Sequence, residues 1–325
     1  MKKSILFWIG LLSLISTILI ITNSCEKDET PLPELTTKPI YYHTQNSANS
    51  GGTIINDEQV EIISCGVCWS TSTDPTIEDH KSISVLKDGT YTSSITGLES
   101  ETKYYVRAYA TNDAGTAYGN NNSFTTLSPV SDIDGNSYNT VRIDNQTWFN
   151  ENLKTTHYAN GDVINDGTDA GDIREETEPK YWFAYDNNLS NVNTYGRLYT
   201  WYAATDSRNV CPDGWHVGTG SEWTSLFEYL GGRDIAGGKL KETGTVHWFS
   251  PNTGATNETS FNALPGGSRY MDGNFVALGY TAKWWTSQST DDFSARQYSA
   301  RYDVSNIYYF NNYMTNGNSL RCVED

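Results

Sequence analysis

Gly97-Leu98-Glu99-Ser100-Glu101-Thr102-Lys103-Tyr104 runs straight into Tyr105-Val106-Arg107-Ala108-Tyr109. A tight polar loop opening onto a β-branched and aromatic run marks the entry of a strand. Upstream, Ile62-Ile63-Ser64-Cys65-Gly66-Val67-Cys68-Trp69 is a second such run, and Asp88-Gly89 and Asp113-Ala114-Gly115 punctuate between strands. Short runs and turn signals at this spacing, from residue 39 to residue 127, predict a β sandwich with Trp69 in the inter-sheet core.

The rest of the composition agrees. The chain has 325 residues, with 22 basic and 39 acidic side chains and a net charge of −17. Nucleic acid is therefore not an expected partner, because phosphate binding needs a basic face. Ten Trp and 22 Tyr supply ample apolar area for packed cores. The length suggests two domains.

Within the first domain, Gly97 to Tyr104 resembles the corner of a fibronectin type III module, where Leu and Tyr flank a tight loop. The resemblance implies that the Tyr104 hydroxyl bonds to backbone near Leu98. Gly66-Val67-Cys68-Trp69-Ser70-Thr71-Ser72, Asp74-Pro75-Thr76 and Tyr105-Val106-Arg107-Ala108-Tyr109-Ala110-Thr111-Asn112 are similar to the fibronectin-III-like spacers of secreted bacterial surface proteins. Cys65 and Cys68 form a CxxC, but residues three apart in a strand face opposite ways. No second ligand pair accompanies them. They are expected to be buried thiols.

The N-terminus carries an address. Lys2-Lys3, the apolar run from Ile5 to Ile21 and Thr22-Asn23-Ser24-Cys25 read as a secretory signal. An uncleaved anchor and an ordinary cleaved signal are the alternatives. The favoured reading takes residues 1–24 as a lipoprotein signal peptide and Cys25 as the lipid-attachment residue. The box resembles those of Bacteroidetes-type lipoproteins, and Glu26-Lys27-Asp28-Glu29 resembles their surface-export tag. Residues 25–38, acidic and carrying Pro31 and Pro33, read as an extended tether. The expected location is the outer membrane, lipid-anchored, at the cell surface.

From residue 128 the text changes. Asp132-Ile133-Asp134-Gly135-Asn136 reads as a turn, since a calcium loop needs its Gly later and a closing Glu. Thr219-Gly220-Ser221-Glu222 is a capping box, and Trp223, Leu226, Phe227 and Leu230 form one helical stripe ended by Gly231-Gly232. Around these stand Gly196-Arg197-Leu198-Tyr199-Thr200-Trp201, Cys211-Pro212-Asp213-Gly214-Trp215-His216-Val217, Ala263-Leu264-Pro265-Gly266-Gly267, Trp284-Trp285-Thr286-Ser287 and the closing Arg321-Cys322-Val323-Glu324-Asp325.

This ordered series over residues 128–325 closely resembles the Fibrobacter succinogenes major paralogous domain family. The resemblance implies an α+β, C-type-lectin-like fold, distantly similar to the formylglycine-generating enzymes. The neighbouring redox cysteines of those enzymes are missing here, as are the Glu-Pro-Asn and Trp-Asn-Asp tripeptides of calcium-dependent lectins. In lectin-like folds the last strand returns beside the start of the domain, so Cys211 and Cys322 are expected to form a disulfide in an oxidising compartment. Two separately buried thiols are the alternative.

No catalytic residue, metal ligand set or cofactor motif is expected: the five His are scattered, with no HExxH, and no GxSxG elbow or P-loop occurs. Glu175, Glu176 and Glu178 could supply a carboxylate pair for glycosidic chemistry, though such runs are more often solvated loop. Trp284 and Trp285 are the candidate binding aromatics. The expected function is non-catalytic: a β-sandwich spacer presenting a lectin-like binding or adhesion domain, with a glycan or a surface protein as partner. An extracellular enzyme acting on polysaccharide is the runner-up.

Overall fold

The computed structural model describes residues 30–56 and 58–325. The signal segment, Cys25 and the export tag lie outside the described residues. Among those described, no helix is long and apolar enough to cross a membrane.

The first module is built from β1 (Leu35–Thr37), β2 (Tyr42–His43), β3 (Ser47–Ile54), β4 (Ser64–Ser70), β5 (His80–Lys81), β6 (Thr90–Thr96), β7 (Lys103–Asn112), β8 (Gly115–Tyr118) and β9 (Asn122–Thr125). Period-two patterning forms them: Tyr91, Ser93 and Ile95 of β6 point inward while Thr92, Ser94 and Thr96 face water. One sheet joins β1, β2 and β6 to β3; the other runs β5-β4-β7-β8, with β9 along the entry half of β7. Between them Val67, Trp69, Ile95, Leu98, Tyr104, Val106 and Phe124 make one core, and Leu35, Ile54, Cys65, Tyr91 and Ala108 a second.

The corner closes as its sequence implies. The Glu99 backbone N–H donates to the Tyr104 hydroxyl at 3.1 Å. Cys65 and Cys68 are both buried free thiols. The Cys65 Sγ turns towards the Ser84 carbonyl and the Cys68 Sγ towards that of Pro75, on opposite sides of β4. Leu35–Thr37 is a correction: the composition assigns it to the tether, yet it pairs with Gly52–Ile54. Leu35 and Thr37 alternate inward, and the Thr37 Oγ1 accepts the Ala108 N–H at 2.9 Å.

The second module carries β10 (Val130–Ser131), β11 (Ser137–Tyr138), β12 (Thr140–Ile143), β13 (Gln146–Phe149), β14 (Asn165–Asp166), β15 (Tyr181–Phe183), β16 (Leu198–Tyr199), β17 (Trp215–Val217), β18 (Gly266–Arg269), β19 (Phe275–Leu278), β20 (Thr281–Ser289), β21 (Ser294–Arg301), β22 (Ile307–Tyr313) and β23 (Cys322–Glu324). Its helices are α1 (Ser190–Tyr195), α2 (Trp201–Ala204), α3 (Gly220–Tyr229) and α4 (Arg233–Leu240). The α3 capping box forms in both directions: Glu222 N–H donates to Thr219 Oγ1, and Thr219 N–H to the Glu222 carboxylate. Trp223, Leu226, Phe227 and Leu230 are buried.

β2 pairs with both β3 and β12. The sandwich sheet therefore continues through β12-β13-β23-β17 into the second module as one eight-stranded sheet. Gln45 Nε2 donates to Thr140 Oγ1 at 2.9 Å across this joint, and Tyr42 meets the edge of Tyr229.

The three-stranded sheet β20-β21-β22 lies between two cores. Trp284 belongs to the one beneath α3 and α4, Trp285 to the one containing Tyr199, Trp215 and the disulfide. Cys211 and Cys322 are bonded, with Cα atoms 6.0 Å apart, so the last strand is tied beside β17.

Candidate functional site

Trp284 and Trp285 do not form a binding surface. Both are fully buried. Trp284 Nε1 donates to Asn152 Oδ1 at 3.0 Å, and Trp285 Nε1 to the Tyr199 carbonyl at 2.9 Å. Adjacent strand residues face opposite ways, so one ring on a one-sided sheet would meet water. Here each face of β20 has its own core.

Two of the most exposed aromatic residues lie elsewhere, at the turn between β20 and β21 and the end of β22. Asp291 Oδ1 accepts the N–H groups of Phe293 and Ser294 at 2.9 and 2.7 Å, an Asx turn that holds Phe293 outward. Phe293 is 72% exposed and Tyr313 55%, large values for apolar rings. With Tyr202 of α2 and Met271 they line a cavity of about 540 Å³. Arg174, Met271 and Tyr313 also line an adjoining cavity of about 320 Å³ that takes in Tyr270, Asp272, Asn312 and Asn316.

The opposite wall is the acidic loop. Glu175, Glu176 and Glu178 all line the larger cavity, together with Asp292. The loop is pinned from below: Thr200 Oγ1 donates to the Pro179 carbonyl at 2.7 Å and accepts the Tyr181 N–H. Ile173 N–H donates to the Met271 carbonyl at 2.8 Å. Burial raises the pKa of the Tyr202 phenol, and the charge of Glu178 raises it further. Tyr181 is shifted the same way by burial and by its hydrogen bond to Glu176. Arg174 is the cation of the cleft, and Asp172 pairs with it at 3.0 Å.

All three glutamates are exposed. Two-carboxylate glycoside hydrolysis asks for one acid held protonated in an apolar pocket. Aromatic rings lining a cavity beside hydrogen-bond acceptors instead suit binding of a ligand with apolar C–H faces and hydroxyl donors.

The Asp132 turn is confirmed: its Oδ1 accepts the N–H groups of Asp134 and Asn136, and its Oδ2 the Tyr138 hydroxyl. Among the described residues no cluster of three or more His, Cys, Asp or Glu is set to hold a metal. The histidines are dispersed in local pairs, such as His157 with Asp134 and His247 with Glu242.

The signals for Phe293 and Tyr313 were present in the sequence. Asp291-Asp292-Phe293-Ser294 puts a large ring in a turn, and Ile307-Tyr308-Tyr309-Phe310-Asn311-Asn312-Tyr313 carries aromatics on both alternate faces, which a single buried face does not explain.

Fold and site together define a β-rich, two-module protein with a shallow aromatic–acidic cleft in its second module. Residues 141–324 match the Fibrobacter succinogenes major domain, more than half of the chain, and the protein belongs to that family. Among solved structures, the fibronectin type-III domain of human fibronectin type III domain containing protein 3 is 17% identical, with a TM-score of 0.23, covering 32% of this chain and 92% of that one. The third fibronectin III domain of human KIAA0343 protein is 13% identical, with a TM-score of 0.24, covering 34% and 95%. No curated protein matches the chain.

Proposed function

We propose that the protein is a non-catalytic lipoprotein of the outer membrane, exposed at the cell surface, whose second domain is a lectin-like glycan binder. The observation that carries the binding role is the cleft in which Tyr202, Phe293 and Tyr313 face Glu175, Glu176 and Glu178. Pyranose rings pack their C–H faces on aromatic rings, and their hydroxyls donate to carboxylates. The anchor rests on Lys2-Lys3, the apolar run and Ser24-Cys25. The continuous sheet through β2 and β12 supports a presenting role for the first module, because it holds the second in one orientation.

A polysaccharide panel, scored for both binding and reducing-end release, tests the reading. Binding that falls at least tenfold in Phe293→Ala and Tyr313→Ala, without release of reducing ends, is expected. Release that is lost in Glu175→Gln or Glu178→Gln would make the protein an enzyme instead. The anchor has its own test: Cys25→Ala should abolish incorporation of labelled fatty acid and membrane fractionation.

A further inference from the structure

We infer that a second pocket, between α3, α4 and β22, is an oxyanion site for a carboxylate or sulfate group. Its cavity measures about 450 Å³ and is lined by Thr224, Phe227, Glu228, Arg233, Tyr298 and Tyr309, with Arg296 at its wall. That volume lies in the range of small-ligand sites.

Two arginines meet there on one ring. The guanidinium carbon of Arg233 lies 4.9 Å from the Tyr309 ring centroid and that of Arg296 5.0 Å. Arg107, Arg174, Arg208 and Arg301 are taken by carboxylates, Asp74 lying 4.0 Å from Arg107 and Asp303 2.9 Å from Arg301, while Arg321 is taken by backbone carbonyls. Neither Arg233 nor Arg296 has a carboxylate within 4 Å among the described residues. The Nε of Arg296 is sealed from water and has no hydrogen-bond partner. A buried N–H of a cation left unpaired is costly, so this guanidinium is not satisfied by the protein around it.

Two further features point the same way. The N-terminus of α4, beginning at Gly232 and Arg233, opens into the same pocket and favours negative charge. Asp234, in that first turn, is engaged by Asn306 Nδ2 at 3.0 Å. Glu228 is the one acid lining the pocket, and it stands beyond ion-pair reach of both guanidiniums. An arginine fork matches a carboxylate or sulfate bidentately, which no neutral hydroxyl reproduces.

The site is independent of the aromatic–acidic cleft, so it stands or falls separately from the glycan reading. Titration of the intact protein with sodium glucuronate, sodium sulfate and glucose, followed by calorimetry, tests it. Either anion should bind and glucose should not engage these arginines. Tighter binding of glucuronate than of sulfate identifies an acidic saccharide as the source of the oxyanion; equal binding identifies a free anion. Arg296→Ala and Arg233→Ala should each weaken anion binding at least tenfold, with Arg296→Lys intermediate. Glu228→Gln should strengthen it by removing a like charge. The same near-ultraviolet dichroism in all variants guards against misfolding. Binding of neither anion, or affinities unchanged in both alanine variants, would overturn the proposal.

Discussion

Asn152 Oδ1 accepts the Nε–H of Arg321 at 2.9 Å, joining residues 169 apart in sequence at the centre of the second module. The guanidinium is buried, and among the described residues no carboxylate pairs with it. Its Nη1 donates to the carbonyls of Phe149 and Phe261, its Nη2 to that of Asn262, and its plane stacks on Phe261 at 4.4 Å. Burial pulls its pKa down to about 9, against a smaller opposing effect of Glu151, so it stays charged at neutral pH. Leaving buried polar partners unpaired costs on the order of 1–3 kcal/mol each, and more where a charge is involved. Arg321→Ala and Asn152→Ala should both fall near that range in urea unfolding. Asn152→Ala also strands Trp284 Nε1. A loss under about 0.5 kcal/mol in either variant would show that the network contributes nothing.

The disulfide closes a long loop. Cys211 and Cys322 are separated by 111 residues, and the chain-entropy argument gives about 4–5 kcal/mol for a closure of that order. The double variant Cys211→Ser, Cys322→Ser should lose several kcal/mol in guanidinium unfolding. Alkylation of the unreduced, denatured protein should label Cys65 and Cys68 and leave these two unmodified. Labelling of Cys211 or Cys322 would sink the assignment.

His216 is clasped by two carboxylates: Asp325 Oδ1 lies 2.6 Å from its Nδ1 and Glu222 Oε1 2.8 Å from its Nε2. Burial works against its charged form, but the two acids outweigh that and raise its pKa. A raised folded pKa means stability that is present below the unfolded value, about 6.5, and lost as pH climbs through the folded one. Since Glu222 also closes the α3 capping box, the same protonation firms the start of that helix. Unfolding free energy, measured from pH 6 to 9, should decline more in the wild type than in His216→Gln. Parallel curves would contradict the clasp.

How legible this was depended on range. The Thr219–Glu222 box and the Tyr104 corner are local devices, written within a few residues, and both appear in the structure as read. The disulfide was legible through chemistry and an implied return of the last strand. Trp284 and Trp285 misled because nothing in their own strand reveals a second core behind it. The aromatic–acidic cleft draws on residues from 174 to 315 in several separate segments, and no pattern within one segment announces such a meeting. The joint was hidden for the opposite reason: β2 is two residues long and carries no periodicity at all.

That joint should be sensitive to acid. His43 pairs with Arg142 across it, and burial first, then the charge of Arg142, pulls the His43 pKa down to about 4. A depressed folded pKa reverses the sign found for His216: stability is present above about pH 6.5 and lost as pH falls towards 4, because the unfolded chain takes up a proton that the folded chain refuses. A shift of this size corresponds to at most about 3–4 kcal/mol, less whatever solvent screening removes. Because β2 belongs to both modules through one sheet, the loss should be felt by the whole chain. Calorimetry at pH 7 should give a single transition. Lowering the pH to 5 should depress that transition more in the wild type than in His43→Gln, which cannot titrate. Tyr42→Ala, which removes the edge contact with Tyr229 at 6.2 Å, should split the transition in two by uncoupling the modules. Two transitions in the wild type at pH 7 would mean that the shared sheet does not couple the modules, and the rigid-presentation argument would fail with it.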